Sequence, residues 1–197
     1  MKEFITSYLK KLILKINEID IEVVDAIISH FIEASRSGST VYVVGNGGSA
    51  ATASHIANDF SGGLKLRGIE NFNVVSLAAN VPLLTAIAND VGYENIFYAQ
   101  IFEKIKPSDK LVAISCSGNS PNIIKAARYA NSIGAVVIGL TGFDGGELKE
   151  ISNVNYHIQT ESGEYGLVED LHMILDHIMY SCFISMNPEV KNKYVLR

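Results

Sequence analysis

The feature that most constrains this 197-residue chain is the run Val41-Tyr42-Val43-Val44-Gly45-Asn46-Gly47-Gly48-Ser49-Ala50. Four residues of high strand propensity lead directly into a glycine-rich turn, and Ser49 to Phe60 holds no proline or glycine that would interrupt a helix. The order is strand, tight loop, helix. Glycines let a backbone approach a ligand closely, and the first amides of a helix are unpaired and carry partial positive charge, so this junction favours an anion.

The same alternation continues downstream. Phe72 to Leu77, Leu111 to Ser115, Ala135 to Leu140 and Val154 to Ile158 are predicted strands. Helices are predicted around Pro82 to Ala88, from Ser120-Pro121 to Ile133, and from Gly166 to Ile184. Thr141 to Gly146 is expected as a turn. Strands alternating with helices predict an α/β fold built on a doubly wound parallel sheet, whose ligands bind beyond the carboxyl ends of the strands. Two helices precede the first strand, with apolar residues at 4, 5, 8, 9, 12, 13 and 16 in one and at Val24, Ile28, Phe31 and Ile32 in the other. Packing on the same domain and meeting another subunit both fit these stripes.

Charge and cysteine content narrow the partners. A formal charge of -5 without a lysine- or arginine-rich run argues against nucleic acid. No apolar stretch is long enough for a bilayer, and Lys2, Glu3, Lys10 and Lys11 break up any signal-peptide core, so a soluble protein with no membrane partner is expected. Cys116 and Cys182 lack CxxC spacing, which points to a reducing compartment and a cytoplasmic location.

Two turns can carry chemistry. Gly45-x-Gly47-x-x-Ala50 has the spacing of a dinucleotide fingerprint, but the second predicted strand ends in Ser76-Leu77 instead of a ribose-binding acid, and no lysine follows the glycines as in a Walker loop. In the other turn, Ser115, Ser117 and Ser120 surround Gly118 and Asn119 ahead of a helix. An ordinary N-capped turn needs one serine; three hydroxyls with the helix amides suit a phosphate monoester. His55 and Asp59, at i and i+4, share a helix face, as a surface pair would. The last helix carries Glu169, Asp170, His172, Asp176 and His177 among apolar residues. Glu169 and His177 stand about 80° apart around that helix, whereas Glu169, His172 and Asp176 lie on a closer stripe, so periodicity does not choose between the histidines.

Taken in order, Gly45 to Ala50, Thr85-Ala86-Ile87-Ala88-Asn89-Asp90, Ser115 to Asn122 and Leu140 to Gly146 resemble the successive signatures of the sugar isomerase (SIS) domain family, and within it the phosphoheptose isomerases. The resemblance covers nearly the whole chain and implies one SIS domain over 1–197, with residues 1–38 as a helical extension packing on it or on a neighbouring subunit. It implies a homotetramer with active sites between subunits. The implied reaction is aldose–ketose isomerisation of a phosphosugar, sedoheptulose 7-phosphate to D-glycero-D-manno-heptose 7-phosphate. Carried over by position, the phosphate-binding residues are Ser115, Ser117 and Ser120, with Cys116 where a threonine is usual. Asn46, Gly47, Ser49, Asn89, Asp90 and Glu169 match substrate-contacting positions. One zinc per subunit is implied at His55, Asp59, Glu169 and His177, with Asp59 as base, or Glu169 if Asp59 binds the metal, and His177 as partner acid.

The sequence departs from the family pattern in two places. Asp59 stands where the family has a catalytic glutamate, one methylene longer, and Glu169 where it has a glutamine. Both substitutes remain oxygen donors for a divalent metal. The shorter acid leaves open an isomerase of another phosphosugar in a capsule or surface-polysaccharide pathway, and the family also contains non-catalytic members that bind a protein partner.

Overall fold

The computed structural model of the protein describes residues 1–190 and 194. Helices α1 (Lys2–Asn17) and α2 (Ile21–Ser37) come first, and then strands and helices alternate: β1 (Thr40–Gly45), α3 (Gly47–Asn58), β2 (Asn73–Ser76), α4 (Val81–Val91), α5 (Tyr98–Ile101), β3 (Lys110–Ser115), α6 (Pro121–Ile133), β4 (Val136–Phe143), α7 (Gly146–Ile151), β5 (Val154–Gln159) and α8 (Tyr165–Ser185). The five strands form one parallel sheet in the order β2-β1-β3-β4-β5, so the chain reverses its direction of winding between β1 and β3.

Side-chain alternation along each strand divides the core into two layers. Val41 and Val43 of β1, with Val112, Ile114, Ile138 and Leu140, face α2, α3 and α8. Tyr42 and Val44, with Leu111, Ala113 and Val137, face α6 and the short helices before β3. Near-continuous apolar strands buried on both sides are what a parallel sheet requires.

Asp20 caps α2 through the Glu22 and Val23 amides, and Gly38 ends that helix in a left-handed conformation. Val24, Ile27, Ile28, Phe31 and Ala34 of α2 are buried, but α1 buries no residue at all. Tyr8 of α1 donates to Asp170 on α8 over 2.6 Å and Lys11 pairs with Glu164, while Phe4, Ile5, Leu9, Ile13 and Leu14 stay exposed.

Strand β4 runs on through Thr141-Gly142-Phe143, where a turn is expected from sequence. These three residues pair with His157, Ile158 and Gln159 of β5, and Gly142 permits close packing, since a Cβ there would lie 2.5 Å from Val168 of α8. The glycine serves helix-on-sheet contact, and the reversal falls at Asp144-Gly145, which leads into the unforeseen helix α7. No helix among the described residues is long and apolar enough to cross a membrane.

Candidate active site

The two polar turns leave the carboxyl ends of β1 and β3, neighbouring strands at the point where the winding reverses, where open α/β sheets bind ligands. Ser120 occupies the N-cap of α6 and Pro121 its first helical position, yet the Ser120 hydroxyl makes no capping bond. It lies 3.2 Å from the Ser115 hydroxyl instead, so two hydroxyls converge at the amino terminus of α6. Ser117 Oγ accepts from the Asn119 amide. The loop is held from behind: Leu148 donates its amide to the Gly118 carbonyl over 2.9 Å, and Glu147 donates to Asn119 Oδ1 over 3.1 Å. Gly118 sits at φ 65, and a Cβ there would collide with the Gly145 carbonyl, so only glycine fits. A hollow of about 260 Å³ opens beside Ser117 and Asn119.

Across the switch point, Asn46 is the N-cap of α3 and likewise spares its side chain from capping. Asn46 and the buried Asn122 exchange two 2.9 Å amide hydrogen bonds, and Tyr93 donates to Asn46 Oδ1 over 2.9 Å. This pair fixes the two helix amino termini relative to each other. A second hollow, of about 210 Å³, is lined by Asn46, Gly47, Thr85 and Tyr93.

Glu169, from the first third of α8, rests its carboxylate on the first turn of α3. A Cβ at Gly48 would stand 2.3 Å from Glu169 Oε2, so the missing side chain is what admits the acid. Cys116 lies close by, its thiol pushed up to about 11, first by burial and then by the Glu169 charge. A thiol held that high stays protonated at neutral pH and is a donor rather than a nucleophile.

Two turns further along α8 a second group forms. His177 Nε2 lies 3.2 Å from His55 Nε2, and His55 Nε2 lies 3.6 Å from Asp59 Oδ2 and 3.7 Å from Asp176 Oδ2. One donor atom from each of these four residues falls within 4.8 Å of every other, a grouping that could hold a metal ion. Asp59 begins a π-helical turn, Asp59–Leu64, that continues α3 and aligns the acid with His55 along one face. Asp176 has both carboxylate oxygens buried and no hydrogen-bond partner, and its pKa is pushed up to about 7, mainly by burial and then by the Asp59 charge.

The structure therefore gathers His55, Asp59 and His177, and gathers Ser115, Ser117 and Ser120 with Cys116. Glu169 lies at the α3 amino terminus with Gly47 and Ser49, outside the His–Asp group. Asn89 and Asp90 sit at the exposed end of α4, bonded to each other over 2.8 Å, and line neither hollow. His172 is the core histidine of the pair: fully buried, 3.4 Å from the Thr141 carbonyl, and held down to about 4 by burial. Sequence reasoning missed Asp176, Asn122 and Tyr93 as site residues. The stripe shared by Glu169, His172 and Asp176 was a signal for Asp176, but spacing does not tell a buried acid from a solvated one.

The family model of the SIS domain matches residues 5–142. A phosphoheptose isomerase of Aneurinibacillus thermoaerophilus is 32% identical over 99% of this chain and 98% of its own length. A phosphoheptose isomerase of Aliarcobacter butzleri is 36% identical over 74% of this chain and 76% of its own. Among solved structures, the phosphoheptose isomerase of Neisseria gonorrhoeae superposes with a TM-score of 0.84 at 29% identity, over 93% of this chain and 98% of that one.

Proposed function

This chain belongs to the SIS domain family and, within it, to the phosphoheptose isomerases, and we propose that it interconverts sedoheptulose 7-phosphate and D-glycero-D-manno-heptose 7-phosphate, an aldose–ketose isomerisation through an enediol. The observation that carries the reading at residue level is the placement of Glu169, a carboxylate seated against Gly48 and beside Cys116, next to an anion-binding turn.

In this reading the phosphate is held by the hydroxyls of Ser115, Ser117 and Ser120 and by the Asn122 amide in the first turn of α6. The sugar chain runs towards Asn46, Gly47 and Ser49, whose side chains and amides orient its oxygens. In this reading Asp59 and His177, base and acid in the family-derived expectation, serve as metal ligands in a group able to hold an ion, so Glu169 takes the proton between C1 and C2 and returns it to the neighbouring carbon. The Cys116 thiol, kept protonated, adds a donor where charge develops on the substrate oxygens.

The His–Asp group suits zinc, a metal that takes imidazole nitrogen and carboxylate oxygen in tetrahedral sites. When bound, zinc supplies positive charge beside the sugar-binding crevice. The exposed apolar face of α1 supports a homo-oligomer, a tetramer by family likeness, in which residues 1–38 of a single SIS domain meet a neighbouring copy. Two free cysteines agree with a cytoplasmic setting.

The test is turnover. Purified protein incubated with sedoheptulose 7-phosphate should yield the aldose, and Glu169→Gln should lower kcat by about 10³-fold or more with the fold intact. Full activity in that variant removes Glu169 from the chemistry. If the native protein turns over a different ketose phosphate, the shorter Asp59 and the acidic Glu169 mark a different sugar specificity.

A further inference from the structure

We propose, resting on the isomerase reading, that Tyr93 is a specificity-determining residue: it holds Asn46 so that the amide meets the sugar only as a hydrogen-bond donor, and it receives a sugar hydroxyl on its own oxygen.

A chain of hydrogen bonds fixes the orientation of Asn46. The backbone amide of Ile123 donates to Asn122 Oδ1 over 3.0 Å, so Asn122 cannot exchange its oxygen and nitrogen without losing a partner. Asn46 Nδ2 donates to that same oxygen, and Asn122 Nδ2 donates back to Asn46 Oδ1, both over 2.9 Å. Tyr93 gives its single hydroxyl hydrogen to Asn46 Oδ1, again over 2.9 Å. That oxygen then has a donor on each of its two lone pairs, and one Nδ2 hydrogen is already spent on Asn122. What Asn46 keeps for a ligand is one N–H.

The chain holds Tyr93 in place without burying it. Gly92 precedes it at φ 98, a conformation that side chains rarely adopt, and Tyr93–Asn95 form a single 3₁₀ turn. Lys125 of α6 donates to Asn95 Oδ1 over 2.6 Å, and Ile96 and Phe97, directly after the turn, are buried. The Tyr93 side chain is exposed, so core packing does not account for its position.

The hollow of about 210 Å³ that Tyr93 lines has apolar walls, Leu84 and Ala88 among them, and a second hydroxyl from Thr85. Thr85 spends its hydrogen on the Val81 and Pro82 carbonyls. Both hydroxyls therefore offer lone pairs only. A sugar hydroxyl can donate to them, whereas a phosphate dianion or a carbonyl has no hydrogen to give. The hollow thus suits the hydroxylated carbon chain of the substrate and not its phosphate.

Tyr93→Phe keeps the ring and removes the hydroxyl. One neutral hydrogen bond is worth up to about tenfold in an equilibrium, so KM for sedoheptulose 7-phosphate and its calorimetric Kd should both rise about 3–10-fold. The inhibition constant of inorganic phosphate should stay native, because the serine turn is untouched. In ligand-free protein the amide resonances of the Asn46 side chain should shift in the variant, since its oxygen loses a donor. A native KM, a phosphate constant that rises by the same factor as KM, or unmoved Asn46 resonances would each overturn the proposal, as would a native protein that does not bind the sugar phosphate. A native protein that binds the sugar phosphate without turning it over, with Kd and the Asn46 resonances responding as stated, would refute the isomerase reading and leave Tyr93 as the reader of a sugar hydroxyl.

Discussion

His55 and His177, 122 positions apart in the chain, bring their Nε2 atoms to 3.2 Å with the rings edge-on at a centroid distance of 5.2 Å. Two imidazoles converge in this way across α3 and α8, helices whose other contacts are largely apolar. With Asp59 and Asp176 on the same focus, the four side chains form a group that could hold a cation.

Metal removal should therefore soften the fold. A ligand bound only to the native state at 100 times its dissociation constant contributes about 2.7 kcal/mol, which for a chain of this size is a Tm change of about 5–10 °C. Thermal melts before and after chelation, and again after zinc is restored, measure it. An unchanged melt would mean that the four side chains hold no ion in solution.

Gly48→Ala probes the seat of Glu169. The new Cβ would enter the space of the Glu169 carboxylate at 2.3 Å, and because that atom ends a flexible side chain, the acid moves while the backbone does not. A reacting group displaced by about an ångström loses roughly 10²-fold in rate. Steady-state kinetics should show kcat falling with Tm nearly unchanged. Native kcat in this variant would dissociate Glu169 from catalysis.

Ser120→Ala should act on binding. Its hydroxyl, 3.2 Å from that of Ser115, is spared from capping α6, so removing it costs the helix little. A hydrogen bond to a charged group contributes about 1.5–3 kcal/mol, so KM for the sugar phosphate and the inhibition constant of inorganic phosphate should both rise about 10–100-fold. A change in kcat alone would place the phosphate elsewhere.

His172 gives the protein a pH-dependent stability. Burial holds its folded pKa down to about 4, so between there and the unfolded value of about 6.5 the unfolded chain binds more protons. Stability from this group is complete above the upper limit and is lost as pH falls through the window, by about 2 kcal/mol at pH 5. Asp176, lifted to about 7, pulls the opposite way over all of that range, so the useful quantity is a difference between proteins. Urea unfolding of native protein and of His172→Phe at pH 7.5 and pH 5 should show the native advantage shrinking at the lower pH. An advantage that does not change with pH would mean that the buried ring does not titrate as its surroundings require.

What the sequence determined by itself follows from local rules. The alternation of apolar strands with helices specified a doubly wound parallel sheet, because strand burial and helix periodicity are written in neighbouring residues. Glycine at 45, 47 and 48 and serine at 115, 117 and 120 marked the two polar turns for the same reason. His55 and Asp59 could be paired because one helix face joins them. Tertiary structure decided the rest. Whether His172 or His177 reaches His55 depends on how α8 is rotated against the sheet, and Gly142 beside Val168 is one contact that sets it. Asp176 emerged as a partner, and Glu169 was directed to Gly48, only once two distant helices were packed, since burial of a charge is a property of its surroundings and not of its spacing.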